Sequence, residues 1–199
     1  IDPVRYISNH SSGKMGYALA HEAQQLGAKV TIISGPVTLV PPSQCQVINI
    51  NSALEMHEHA LKFALEADVF IACAAVADYR IDEVSDHKIK KSGDTIQLNL
   101  VKNPDIVASV AALNNKPFTV GFAAETQNLA KYAKGKLKAK NLDLIAANNV
   151  ATSGQGFNSD NNALTVFSAD QSIDIPLSSK QAVAYHLVAI INEKFSTKS

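Results

Sequence analysis

Apolar and polar positions alternate along this chain in two rhythms, one of helical and one of strand period. In residues 13–26, Met15, Leu19, Ala23 and Leu26 recur at helical spacing, and Gly27 supplies a C-terminal stop. KVTII (residues 29–33) is a β-rich run closed by Ser34, Gly35 and Pro36, and residues 47–50 read as a second strand. Ser52 and Glu55 stand at capping-box spacing and open a helix to about Ala67. VFIACAAV (residues 69–76) is apolar at nearly every position, the pattern of a strand covered on both faces. Asn103 is predicted to cap a helix with Pro104 in its first position, running to Leu113. Strands follow at 118–123 and 142–146, separated by a lysine-studded helix over 129–140. Two later strands, 163–167 and 173–177, lead to a second capping box, Ser178 and Gln181, and a helix to about Phe195. Strands alternating with helices predict an α/β fold with a doubly wound, mostly parallel sheet.

One stretch, about 82–102, breaks the alternation. Ile96, Leu98 and Leu100 alternate with polar residues, and Lys88, Ile89, Lys90 and Lys91 precede the turn Ser92-Gly93-Asp94. This predicts an inserted β-arm, which covers a site or pairs with a second chain in a homodimer.

Composition narrows the function. The 199 residues are 46% hydrophobic, enough for one domain with a proper core. Eighteen basic residues balance eighteen acidic ones, so the basic excess of a duplex nucleic-acid binder is absent and any phosphate-binding cations must be gathered locally. Cys45 and Cys73 lie in apolar runs without metal-ligand spacing, as buried thiols of a reducing cytoplasm do. No apolar run reaches the roughly 18 residues of a membrane span, and no secretory signal pattern opens the chain. The chain starts at Ile1, so a domain of a longer protein is expected.

The glycine fingerprint of dinucleotide folds and the Walker phosphate loop are both absent. In their place, residues 8–16 (SNHSSGKMG) put small residues and hydroxyls at a helix start, where free N–H groups and the dipole favour an anion, although an ordinary capped helix reads the same way. Asp78 follows the buried 69–76 run and Phe122 lies near the end of another, where open parallel sheets collect ligands. Lys136 and Lys140 share one face of a helix with five lysines and no acid, suiting either solvent or a triphosphate. Tyr132 and Lys136 match the spacing of short-chain dehydrogenases, which keeps a nicotinamide oxidoreductase as one alternative. A non-catalytic nucleotide-binding or dimerisation module is the other.

Six segments together resemble the phosphopantothenoylcysteine synthetase family: DPVRYISNHSSGKMG (2–16), AAVADYR (74–80), KIKK (88–91), VKNPDIV (101–107), GFAAET (121–126) and GFNSDNNA (156–163). The resemblance runs in order through the whole chain. It implies a single synthetase domain over 1–199 with a Rossmann-like fold, preceded in the family by a strand, a Gly-rich turn and a flavin-dependent decarboxylase. It implies CTP and Mg²⁺ as co-substrate and cofactor, and 4′-phosphopantothenate and L-cysteine as substrates, joined through an acyl-cytidylate. Residue by residue, it assigns Ala72, Cys73, Ala74, Asp78, Pro104, Asp105, Ile106, Val107 and Phe122 to the nucleoside. Lys88, Lys136 and Lys140 meet the phosphates. Asn9 holds the acyl group next to Ala75, and Arg5, Ser11, Ser12 and Gly13 are candidates for the substrate phosphate. Asn9 and Lys88 carry the chemistry, and the arm raises the expectation that they come from different chains of a two-fold dimer. Asp160, Asn161 and Asn162 are expected to tie down a loop.

Overall fold

The computed structural model describes residues 1–91, 93–149 and 159–198. After an irregular opening segment, helix α1 (Lys14–Gln25) leads to strands β1 (Thr31–Ser34) and β2 (Gln46–Asn49) and helix α2 (Ala53–Ala64). Strand β3 (Val69–Ala72) follows, then the short strands β4 (Tyr79–Ile81) and β5 (Leu100–Lys102) and helix α3 (Ile106–Ala111). The remainder is β6 (Phe118–Glu125), α4 (Leu129–Ala139), β7 (Leu144–Asn149), β8 (Asn161–Phe167), β9 (Ser172–Ser179) and α5 (Lys180–Lys198).

The main sheet has the order β3-β6-β7-β8-β9, with β3, β6 and β7 parallel and β8 and β9 antiparallel additions. The period of two along β6 divides the core. Phe118 and Val120 face the layer built by α1 and α5, while Ala123 faces α4 with Ile145, Ala147 and Phe167. Phe70 and Ile33 pack against α2 and α3 through Ala60, Ile106 and Val110. The result is a three-layer α/β sandwich.

Several expectations need correction. β1 and β2 pair only with each other, as a separate parallel two-stranded sheet, although α1 touches both pieces: Tyr17 hydroxyl meets Ser34 Oγ at 3.1 Å, and Gly16 sits against Cys73. The 69–76 run is strand only to Ala72; β3 is an edge strand of half-buried residues, and the chain from Cys73 onward turns into a loop. Asn103 does not cap α3. Asp105 does, its Oδ1 accepting from Ala108 N–H at 3.1 Å. At α5 the cap bond comes from Ser179, whose Oγ accepts from Ala182 N–H, while Gln181 turns away to Glu22. Ser52 caps α2 as expected, its Oγ accepting from Glu55 N–H at 3.2 Å, while the Glu55 carboxylate accepts from Asn51 N–H at 3.0 Å, one residue before the cap.

The arm is shorter than its alternation predicts. β4 and β5 pair antiparallel over three residues, Tyr79–Lys102 to Ile81–Leu100, and the described residues between them carry no further strand. Ile96, Leu98 and Leu100 stay exposed because one chain offers them no second surface to cover. Of the turn, Ser92 lies outside the described residues, as do residues 156–158 of the GFNSDNNA segment.

Candidate active site

The segment beyond β3 is held by side chains from two other parts of the chain. Asn9 donates its amide to Val76 C=O at 3.1 Å. Asn103, buried to 7% exposure, donates its side-chain amide to Ala77 C=O and its backbone N–H to Asp78 C=O, both at 2.8 Å. Arg80 closes the seam by donating to Lys102 C=O at 2.7 Å. A buried amide that satisfies two carbonyls fixes a loop well, because breaking either bond leaves a desolvated group unpaired. The Asp78 carboxylate itself remains exposed.

Next to this loop, Asp105 caps α3 and its Oδ2 pairs with Lys140 at 2.8 Å. Burial raises the Asp105 pKa, but the Lys140 and Ala108 hydrogen bonds outweigh it and hold the carboxyl below the ordinary range. Lys136 pairs with Glu125, at the end of β6, at 2.8 Å. Both lysines assigned to a triphosphate are therefore already turned toward this end of the sheet, each on a carboxylate. Lys88 is exposed and makes no hydrogen bond or ion pair with described residues.

Beyond Ala72, Cys73 packs against Gly16, and burial pushes its thiol up to about 12, which favours the protonated form. Ala74 is exposed, Ala75 half-buried, and Phe122 half-buried against the α1/α5 layer. Pro104 and Val107 flank the Asp105 cap, and Ile106 is buried against α2. At the start of α1, Gly13 has φ +74°, and a Cβ there would lie 2.9 Å from Val37 Cγ1, so only glycine fits. Ser11 is exposed, and Ser12 Oγ accepts from Lys14 N–H at 3.5 Å.

Arg5 is not brought to the α1 start. Its guanidinium is engaged by the buried carboxylate of Asp2 and donates to Ile89 C=O at 3.0 Å. Asp160 ties Lys14, at 2.5 Å, and its C=O accepts Lys180 N–H; Asn162 reaches Asn148 and Met15. These contacts fasten the β8 start to α1. Lys180 is buried to 6% exposure, and its pKa is lowered by burial and by Lys14, partly offset by Asp160.

Sequence reasoning passed over Asp2, Glu125 as a lysine partner, and Lys180. Only Asp2 left a signal, since Asp before Pro favours a turn closed on the Asp carboxylate; Val4 and Arg5 N–H donate to Asp2 Oδ1 at 2.9 and 3.0 Å. Among the described residues no cluster of His, Cys, Asp or Glu could hold a metal ion. Two concavities, about 270 Å³ beside β8 and β9 and about 400 Å³ beside Phe118 and Phe195, are lined by none of the site residues expected from the sequence.

Known proteins agree in one direction. The family model described as "DNA/pantothenate metabolism flavoprotein C-terminal domain" matches residues 1–195. The Vibrio cholerae "Coenzyme A biosynthesis bifunctional protein CoaBC" is 57% identical over 197 residues, covering 98% of this chain and 49% of that protein. Its Escherichia coli (strain K12) counterpart is 49% identical over 203 residues, covering 100% of this chain and 50% of that protein. The chain thus spans about half the length of the curated relatives it matches. A crystal structure of the C-terminal domain of a Coenzyme A biosynthesis bifunctional protein CoaBC superposes with TM-score 0.84 at 36% identity, covering 99% of this chain and 90% of that one.

Proposed function

This chain belongs to the DNA/pantothenate metabolism flavoprotein C-terminal domain family, and from that premise we propose that it joins 4′-phosphopantothenate to L-cysteine in coenzyme A biosynthesis, with CTP as the activating nucleotide. The observation that carries the reading is the continuous run of contacts at the carboxyl ends of β3 and β6: Asn9 to Val76, Asn103 to Ala77 and Asp78, and Asp105 to Lys140. It gathers an amide, strand-end carbonyls, a helix start and cations where a parallel sheet receives ligands.

A carboxylate is a poor acyl donor until one of its oxygens becomes part of a leaving group. In the proposed first step a carboxylate oxygen of phosphopantothenate attacks the α-phosphorus of CTP, and the bond to the bridging oxygen of the β-phosphate breaks. Pyrophosphate leaves. In the second step the cysteine amine attacks the acyl carbon, CMP leaves with the original carboxylate oxygen, and the nitrogen loses its proton to solvent. Such chemistry asks mainly for positioning and charge neutralisation. Lys88, without a carboxylate partner among the described residues, can meet charge developing at the α-phosphate, while Lys136 and Lys140 can exchange Glu125 and Asp105 for the outer phosphates. The strand-end carbonyls beside Asn103 and Asp105 are suited to accept from the cytosine amino group. Asn9, a neutral amide, can donate to the acyl oxygen.

The exposed Ile96, Leu98 and Leu100 support a two-fold dimer in which Asn9 and Lys88 meet across the interface. Mixing Asn9→Ala and Lys88→Ala proteins under subunit exchange should then restore about a quarter of the sites; a dead mixture after proven exchange leaves both residues within one chain. The ligase reading is tested by incubating this chain with phosphopantothenate, cysteine and MgCTP. One pyrophosphate per ligated product is expected, and no pyrophosphate with any nucleoside triphosphate would overturn it.

A further inference from the structure

Lys88 lies on an exposed, irregular segment, yet the backbone around it is anchored at two points. On one side the anchor is Ser85, three residues before Lys88: Ser85 N–H donates to Ile1 C=O at 3.1 Å, and Ser85 Oγ donates to His87 C=O at 2.7 Å. On the other side, Ile89 is held through both of its polar groups. Its N–H donates to Asp2 Oδ2 at 3.1 Å, and its C=O accepts from Arg5 at 3.0 Å. Asp2 and Arg5 are themselves joined, with Arg5 Nε on Asp2 Oδ2 at 3.0 Å and a second donor on the same oxygen. Holding a donor and an acceptor of one residue fixes its direction along the chain, which a single bond does not.

We propose that Asp2 is a positioning residue for Lys88, acting through the Arg5 fork and the Ile89 backbone; its consequence for catalysis rests on the ligase reading above. The Asp2 side chain has 0% exposure, whereas a turn-closing aspartate at a chain's surface needs no such burial. Its carboxylate takes five hydrogen bonds, two from its own turn, two from Arg5 and one from residue 89, so the turn is built around a contact 87 residues away. The Arg5 hydrogen bonds, followed by those of Val4, Ile89 and Arg5 backbone N–H, hold the carboxyl well below the usual range against the effect of burial. It stays ionised wherever the protein works. The planar Arg5 fork puts Nε and Nη2 on the carboxylate while Nη2 also reaches the Ile89 carbonyl, a two-nitrogen hold that a single ammonium does not reproduce. A flexible lysine on an unanchored loop would spend most of its time away from a reacting phosphate. Misplacement by about 1 Å typically costs about 10²-fold in rate.

The test compares Asp2→Asn with wild type in each half-reaction. Pyrophosphate release should fall about 10²-fold, while cysteine-dependent breakdown of a supplied acyl-cytidylate stays near wild type. In a Lys88→Gln background, Asp2→Asn should add no further loss, because both changes remove one function. Equal losses in both half-reactions, or losses that add in the double variant, would overturn the proposal. An assay-independent arm measures hydrogen exchange of the Ile89 amide in wild type and in Arg5→Lys, which leaves the Asp2 turn intact. Faster exchange in the variant supports the clamp, and unchanged exchange overturns it, even if the wild-type chain releases no pyrophosphate and the ligase reading itself fails.

Discussion

Both ends of β6 are pinned by a carboxylate and lysines, and the two ends differ in how finished that arrangement is. At the amino-terminal end Asp143 takes Lys116 at 3.0 Å, Lys198, and Thr119 N–H at 2.8 Å, with 10% of its side chain exposed. One buried carboxylate is saturated by three donors, and α5 is thereby tied to the base of the sheet. At the carboxyl end Glu125 and Asp105 hold one lysine each, Lys136 and Lys140; Glu125 is 14% exposed and Asp105 41%, so the two ends differ in the number of lysines on each carboxylate. A pair exposed on both sides, as Asp105–Lys140 is, separates at small cost, whereas breaking a buried one strands a charge. The same residue types thus make a three-donor joint at one end and single-lysine pairs at the other.

The largest effect that sharpens this contrast is base choice. Carbonyls aimed at an amino group reject a base that lacks it, so kcat/KM should favour CTP over UTP by about 10⁴-fold. Equal values would mean that the strand-end carbonyls do not read the base. Next comes the cation without a carboxylate. Lys88→Gln should lower the rate of pyrophosphate release by about 10²–10³-fold, whereas Asn9→Asp should still release pyrophosphate and accumulate the acyl-cytidylate. Trapping and weighing the intermediate distinguishes the two, and reversed phenotypes would refute the assignment.

At the opposite end the prediction concerns stability. Asp143→Ala should destabilise the domain by about 3 kcal/mol in urea titration while leaving the activity of the folded fraction unchanged. Burial raises the Asp143 pKa, but Lys198, Thr119 N–H and Lys116 outweigh it, so the native value is lowered. The stabilisation is therefore complete above the unfolded carboxylate value of about 3.9 and is lost as pH falls through the native one. The variant should show a shallower acid limb. The smallest effect returns to the exchangeable pairs. Lys136→Gln should raise KM for the nucleotide about tenfold, worth about 1.4 kcal/mol, and Glu125→Gln should not raise it. A rise in both would mean that Glu125 positions Lys136 instead of competing for it.

Much of this was legible in the chain because local signals and tertiary packing agree. The helix spacing of Met15, Leu19 and Ala23, the Ser52 cap and the apolar run from Phe118 to Ala123 all appear as elements. The misreadings share a cause. Asn103 has the chemistry of a cap, but a buried site offered it two carbonyls, and Asp105 took over the helix. VFIACAAV is apolar throughout, yet hydrophobicity says nothing about where hydrogen bonding to a neighbour stops, so the loop at Cys73 was invisible. Ile96 and Leu98 alternate as a strand does, but alternation without a partner surface leaves them exposed. The tie of Arg5 to Asp2 and Ile89 joins segments too distant for spacing to reveal.

The central claim is that the carboxylate is activated by transfer of a nucleotidyl group at the carboxyl end of β3 and β6. The most direct measurement starts from phosphopantothenate carrying heavy oxygen in its carboxylate, with MgCTP and cysteine, followed by mass spectrometry of every phosphorus product after a single turnover. The account predicts one heavy oxygen in CMP and none in pyrophosphate or inorganic phosphate. Heavy oxygen in inorganic phosphate, with a nucleoside diphosphate as the other product, would contradict it, since that outcome requires attack at the γ-phosphorus.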